Sequence, residues 1–199
     1  MKKIFFLSLF SMTMIYGIEK CGFNKPELDL FRDVLNCTNI DMQRTILSQE
    51  GFFYIHFDTT GSDAPDPLDI NFDGLPDYIN EVSMAADSSY RLLRDVMNFN
   101  DGANGNDNIT DIYVIELDGS AYGWTRPIDN FCNDSCIEID NDYNESNYYT
   151  NGLDAMKVTL IHEYFHTIQL AYRCNAGLES YFYEYAGILV LFVYLFLED

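Results

Sequence analysis

Basic side chains and histidine are both scarce in this chain. Eleven Lys and Arg stand against 32 Asp and Glu over 199 residues, for a net charge of −21, and histidine occurs three times. So acidic a surface repels nucleic-acid phosphates and anionic lipid headgroups, which excludes nucleic-acid binding and favours bound cations. Long apolar runs are also missing. The two longest apolar stretches, Ile4–Tyr16 and Gly187–Leu197, fall short of the roughly 20 residues a lasting membrane helix needs, so no stable span is expected. Internal repeats and low-complexity tracts are absent. What is abundant is core material: 48% apolar and 16% aromatic residues, too much for a disordered chain. The length suits one domain, or a domain with a small companion.

The N-terminus reads Met1-Lys2-Lys3, then the apolar run, then Gly17. A basic start, a short apolar stretch and a small residue describe a secretory signal peptide. Cleavage after Gly17 is expected, giving a secreted, periplasmic or extracellular product. All five cysteines (Cys21, Cys37, Cys132, Cys136 and Cys174) then lie in the mature part, where an oxidising compartment favours disulfides. Cys132 pairs with Cys136 and Cys21 with Cys37 in this reading, leaving Cys174 over. A zinc knuckle would want two close cysteine pairs, and only one loose C-x3-C is present.

Residues 26–50 carry Leu28, Phe31, Leu35, Ile40, Ile46 and Leu47 at mixed helical spacing and are predicted helical. Phe52–Asp58 reads as a strand. Pro76 opens a helix whose apolar stripe is Ile79, Val82, Ala86, Tyr90, Leu93 and Met97. Strands are predicted at Ile112–Leu117 and Ile137–Asp140, the second as an edge strand able to pair with an extended peptide. Between them Asp118–Ser135 reads as a polar loop. A further helix from about Asp154 to Tyr172 bears the stripe Val158, Ile161, Phe165, Ile168 and Tyr172. This order lacks a regular βαβ rhythm and points to an α+β fold. The division expected is a signal peptide at 1–17, a helical segment at 18–50 and a catalytic domain at 51–199.

Two of the three histidines fall in His162-Glu163-Tyr164-Phe165-His166, an H-E-x-x-H pattern inside the last predicted helix. Residues i and i+4 share a helical face, so both imidazoles can reach one Zn²⁺. Glu163, beside the first ligand, is placed to take a proton from a water whose pKa zinc lowers to about 7. The bland alternative is a helix face with two incidental histidines. A third protein ligand is required. Glu184, 18 residues past His166, is the first choice, and Glu179, nearer the turn at Gly177, the second. Position 172 is Tyr172, so the extended metzincin motif is absent.

Asp69-x-Asn71-x-Asp73-Gly74-x-x-Asp77 has oxygen donors at alternate positions with a glycine at the sharp turn, as calcium loops do. A Ca²⁺ clamping this loop to the helix at Pro76 is expected, although position 12 is Asn80 rather than Glu; an Asp-rich surface loop is the alternative. His56, alone on a strand, reads as structural. Among Tyr181, Tyr183 and Tyr185 an oxyanion stabiliser is conceivable.

The chain resembles a family of secreted bacterial zinc metalloproteases with the zincin fold, gluzincin-like in ligand arrangement. The resemblance rests on Phe53–Phe57, Asp69–Tyr78, Ile139–Asp142 and Asp154–Thr159 running into His162–Gln169, within roughly residues 50–186. It implies a zincin-like α+β domain with a small mixed sheet. It also implies a zinc-activated water, peptide or protein substrates, and a ligand Glu matching Tyr181-Phe182-Tyr183-Glu184. After Glu184 the family pattern continues with Trp and acidic residues, whereas this chain runs Gly187–Leu197 and stops at Asp199, as a truncated or frameshifted product would. The expected activity is therefore zinc-dependent endopeptidase. The alternatives are an inactive, calcium- and disulfide-stabilised binding module and a zinc amidase acting on a non-peptide bond.

Overall fold

The computed structural model describes residues 40–128 and 132–172. Five strands and two helices follow in the order β1 (Arg44–Leu47), β2 (Phe53–Phe57), α1 (Asp77–Tyr90), β3 (Thr110–Ile115), β4 (Gly123–Pro127), β5 (Ser135–Asp140) and α2 (Gly152–Tyr172). The sheet order is β1-β2-β3-β5-β4. The central strands β2, β3 and β5 are parallel, and the edge strands β1 and β4 run antiparallel to their neighbours. The architecture is α+β with a mixed sheet, as expected, with a single βαβ unit formed by β2, α1 and β3.

The alternation in β2 sets the layers. Phe53, Ile55 and Phe57 are fully buried, while Tyr54 and His56 point to the other face. Ile112 and Val114 of β3 and Ile137 and Ile139 of β5 continue the buried row. Both helices cover that row. α1 contributes Ile79, Val82 and Ala86, and α2 contributes Met156, Leu160, Ile161, Tyr164, Phe165 and Ile168. Pro76 caps α1 in the extended conformation with φ −56° and ψ 137°. Past Tyr90 the helix widens into a π-helical turn, Arg91–Val96, which still buries Leu93 in the core.

Three sequence expectations are corrected. Arg44–Leu47, the end of the predicted helix 26–50, is strand β1. It pairs with β2 through a tight turn in which the Gly51 amide donates to the Ser48 carbonyl at 3.0 Å. Gly51 adopts φ +86° there, which a side chain would disfavour. The supposed loop 118–135 contains β4. A Gly at its start, a Pro at its end and Arg126 within it hide the strand, yet Pro127 is tolerated because β4 lies at the edge. Ile137–Asp140 is in turn no edge strand, since β5 pairs with β3 on one side and β4 on the other.

Among the described residues no helix is long and apolar enough to cross a membrane. The expected signal peptide and the apolar tail lie outside the described residues.

β4 reaches α2 because residue 123 has no side chain. A Cβ there would stand 2.6 Å from Thr159 Cγ2 and 2.9 Å from Glu163 Cγ. Thr159 is buried and β-branched, so it has little room to yield. Gly123→Ala is expected to destabilise the protein by about 1–3 kcal/mol, read from urea denaturation; an unchanged midpoint would contradict this packing.

Candidate metal centre

α2 opens with Asp154 in its first turn, where the positive end of the helix dipole favours a carboxylate. Thirteen of its 21 residues are buried. Its polar residues in the core must therefore be satisfied by specific partners. The sequence pairs His162 with His166 at i, i+4, and the structure brings their Nε2 atoms to 3.0 Å. Two imidazole nitrogens sharing one zinc at about 2.0–2.1 Å stand about 3.3 Å apart at the tetrahedral angle. The observed pair therefore converges as a common metal would require.

The second ring nitrogen of His166 is also engaged. His166 Nδ1 lies 2.6 Å from Gln169 Oε1. The amide oxygen only accepts, so the proton sits on Nδ1 and the Nε2 lone pair faces His162. His166 is 0% exposed, and burial lowers its pKa from 6.5 to about 4, against a smaller opposing effect of Gln169. His162 is pushed well below its ordinary value, by desolvation first and by His166 second. Both rings are thus neutral at physiological pH, the state a metal ligand needs.

Glu163 is 1% exposed. Its Oε2 and its backbone carbonyl each accept from the Thr125 hydroxyl of β4 at 2.8 Å. Burial raises its pKa to about 8, helped by Glu138 and opposed by Thr125 and Arg126. Glu138 on β5 is 2% exposed. It accepts from Arg126 Nε at 2.9 Å on both carboxylate oxygens, and the Arg126 guanidinium lies over the Trp124 ring.

The remaining site residues of the sequence reading are dispersed. Glu184, Glu179, Tyr181, Tyr183, Tyr185, Cys21, Cys37 and Cys174 fall outside the described residues. His56 sits on the sheet face away from the helices. Its Nε2 is 2.6 Å from Asp111 Oδ1, its Nδ1 is 2.8 Å from Thr45 Oγ1, and its ring stacks on Tyr113. That arrangement stitches β1, β2 and β3 together. In the acidic loop, Asp69 accepts from the Asp73 and Gly74 amides, Asn71 Oδ1 from the Asp73 amide, Asp73 from the Leu75 amide, and Asp77 from the Ile70 amide. Gly74 makes the sharp turn at φ +85°. The loop folds back onto the first turn of α1 through these bonds.

One group escaped the sequence reading. Oxygens of Glu116, Asp140 and Glu145 lie within 4.8 Å of one another. Desolvation and the neighbouring carboxylates raise the pKa of Glu116 and Glu145. Three residues drawn from the ends of β3 and β5 and the following loop leave no spacing signature. A cavity of about 610 Å³, lined by Ala103, Asn104, Cys132, Asp134 and Leu170 among others, opens beside the C-terminal end of α2, away from His162 and Glu163.

No family model matches this chain, and no curated protein or solved structure is significantly similar to it.

Two measurements follow from this geometry. Gln169→Ala removes this partner of His166 Nδ1; if the two rings hold zinc, its affinity measured by chelator competition should drop roughly tenfold or more, and unchanged affinity would show that the bond does not orient the ring. In the metal-free protein, Glu163 keeps its proton up to about pH 8, whereas the unfolded chain releases it near pH 4.5. Above about pH 7 the histidines are mostly neutral in the unfolded chain as well, so Glu163 dominates. Stability should therefore fall as pH rises from about 7 to 8, by about 1 kcal/mol per pH unit or less. Glu163→Gln should remove that slope in urea titrations.

Proposed function

We propose that this chain is a secreted zinc-dependent endopeptidase of the zincin type. The observation that carries the reading is the convergence of His162 Nε2 and His166 Nε2 at 3.0 Å, with Glu163 next to the first ligand on the same buried helix. Glu184 is proposed as the third ligand, with Glu179 as the alternative. Zinc held by these residues would supply Lewis acidity, polarising a peptide carbonyl and making a water acidic enough to attack.

The chain's own groups do the rest. Glu163 takes the proton of the attacking water onto a carboxylate oxygen and passes it to the departing amine nitrogen. In the metal-free protein Glu163 holds its proton up to about pH 8; the positive charge of a bound zinc would lower that value and leave a carboxylate free to accept the water's proton at neutral pH. Gln169 holds His166 in the ligating tautomer. An extended peptide laid against the edge of β4 that no described strand pairs is the proposed substrate geometry, since β4 and not Ile137–Asp140 ends the sheet among the described residues. The C-x3-C spacing of Cys132 and Cys136 supports a mutual disulfide at the start of β5, as an exported protein would carry. A calcium ion in the Asp69–Asp77 loop remains part of the proposal.

The deep burial of Glu163 and His166 favours one competing reading, a binding module whose HExxH helix serves only the core. Elemental analysis of chain 18–199 purified without chelator separates the two. One zinc per chain, lost in His166→Ala, is expected. Glu163→Ala should keep the zinc yet lower hydrolysis of a peptide library by roughly 10²–10⁴-fold. Zinc-free protein in the parent would overturn the metallopeptidase reading in favour of the binding module. A zinc-loaded parent that cleaves an amide but no peptide would point to the amidase.

A further inference from the structure

We infer that Thr125 is the positioning residue of Glu163: its hydroxyl, fixed on β4, aims the carboxylate that the proposed reaction uses as its base. The inference rests on the metallopeptidase reading, and the geometry behind it lies outside the HExxH motif.

Glu163 leaves the helix on a flexible side chain, and nothing in the H-E-x-x-H pattern fixes the direction of its carboxylate. Thr125 does. Its Oγ1 lies 2.8 Å from both Glu163 Oε2 and the Glu163 carbonyl oxygen. Thr125 is 5% exposed and held in register opposite Ile137 of β5. β-Branching restricts its rotamer, and the missing side chain at Gly123 lets the strand lie this close.

One hydroxyl proton and two acceptors at equal distance suit a group that gains and loses a proton. When Glu163 is a carboxylate, Thr125 donates to Oε2. When Glu163 carries the proton, its O–H can donate to Thr125 Oγ1 while Thr125 donates to the Glu163 carbonyl. The carboxyl group keeps the Thr125 hydroxyl as its partner in either state. In a site closed to solvent, losing that partner leaves a buried oxygen unsatisfied.

The test compares Thr125→Val, which deletes the hydroxyl and keeps the branched shape, with Thr125→Ser, which keeps the hydroxyl. In Thr125→Val, kcat should fall about 10–100-fold, with KM and zinc content close to the parent's. Thr125→Ser should restore kcat to within about threefold of the parent. A Val variant as fast as the parent overturns the inference, and so does a Ser variant as slow as Val. A second readout needs neither metal nor turnover. In the metal-free protein the carboxyl infrared band assigned to Glu163, by its loss in Glu163→Gln, should shift in Thr125→Val and stay in place in Thr125→Ser. An unmoved band in Thr125→Val overturns the inference. A parent that hydrolyses nothing overturns the metallopeptidase reading instead, and the infrared comparison alone then decides on Thr125.

Discussion

Everything at the candidate centre depends on a desolvation problem. Helix α2 carries Thr159, Glu163, His166, Thr167 and Gln169 into a core built from the apolar faces of the sheet and α1. Each polar group buried there costs free energy unless a partner replaces water. The partners are specific: Thr125 for Glu163, Gln169 and His162 for His166, and the Tyr164 carbonyl for Thr167. The same network that makes the helix tolerable in the core also fixes which atom of each group faces which neighbour. Structural necessity and chemical orientation are one arrangement here.

Asp140 plays a comparable part at the other end of the sheet. It is fully buried and accepts from the amides of Leu117, Asp142 and Tyr143 and from the Tyr148 hydroxyl. The Tyr78 hydroxyl of α1 donates to its backbone carbonyl. One carboxylate thus ties the end of β3, the loop before α2 and the first helix to the end of β5. Desolvation first, and Asp140 after it, makes the nearby Glu116 and Glu145 reluctant to ionise.

Much of this was legible in the sequence wherever one periodicity dominated. The aromatic and β-branched richness of β2 and the stripe Ile79, Val82, Ala86 identified their elements correctly because each faces a single core. The i, i+4 spacing of His162 and His166 places both rings on one face of α2, where they meet at 3.0 Å. β1 and β4 were misread for opposite reasons. β1 is a four-residue edge strand with one half-buried apolar residue, Ile46, too short for a period of two to register. β4 contains Gly123, Arg126 and Pro127, residues that local propensity assigns to loops. Its pairing with β5 overrides that preference. Thr125 was invisible for the same reason, since its meaning comes from a residue 38 positions away.

The order of the strands has a consequence for how the molecule comes to exist. β4 precedes β5 in the chain, yet β5 lies between β3 and β4 in the sheet. β4 therefore has no hydrogen-bonding neighbour until the strand that follows it has been inserted. A chain emerging from the ribosome or a translocation channel can assemble β1, β2, α1 and β3 while β4 waits unpaired. Only once β5 has docked, and α2 after it, do Thr125 and Glu163 meet. Such long-range closure is slow compared with local structure, and it makes the candidate centre the last part of the described fold to form. A copy of the chain ending before β5 would carry the frame of the sheet without the Thr125–Glu163 contact.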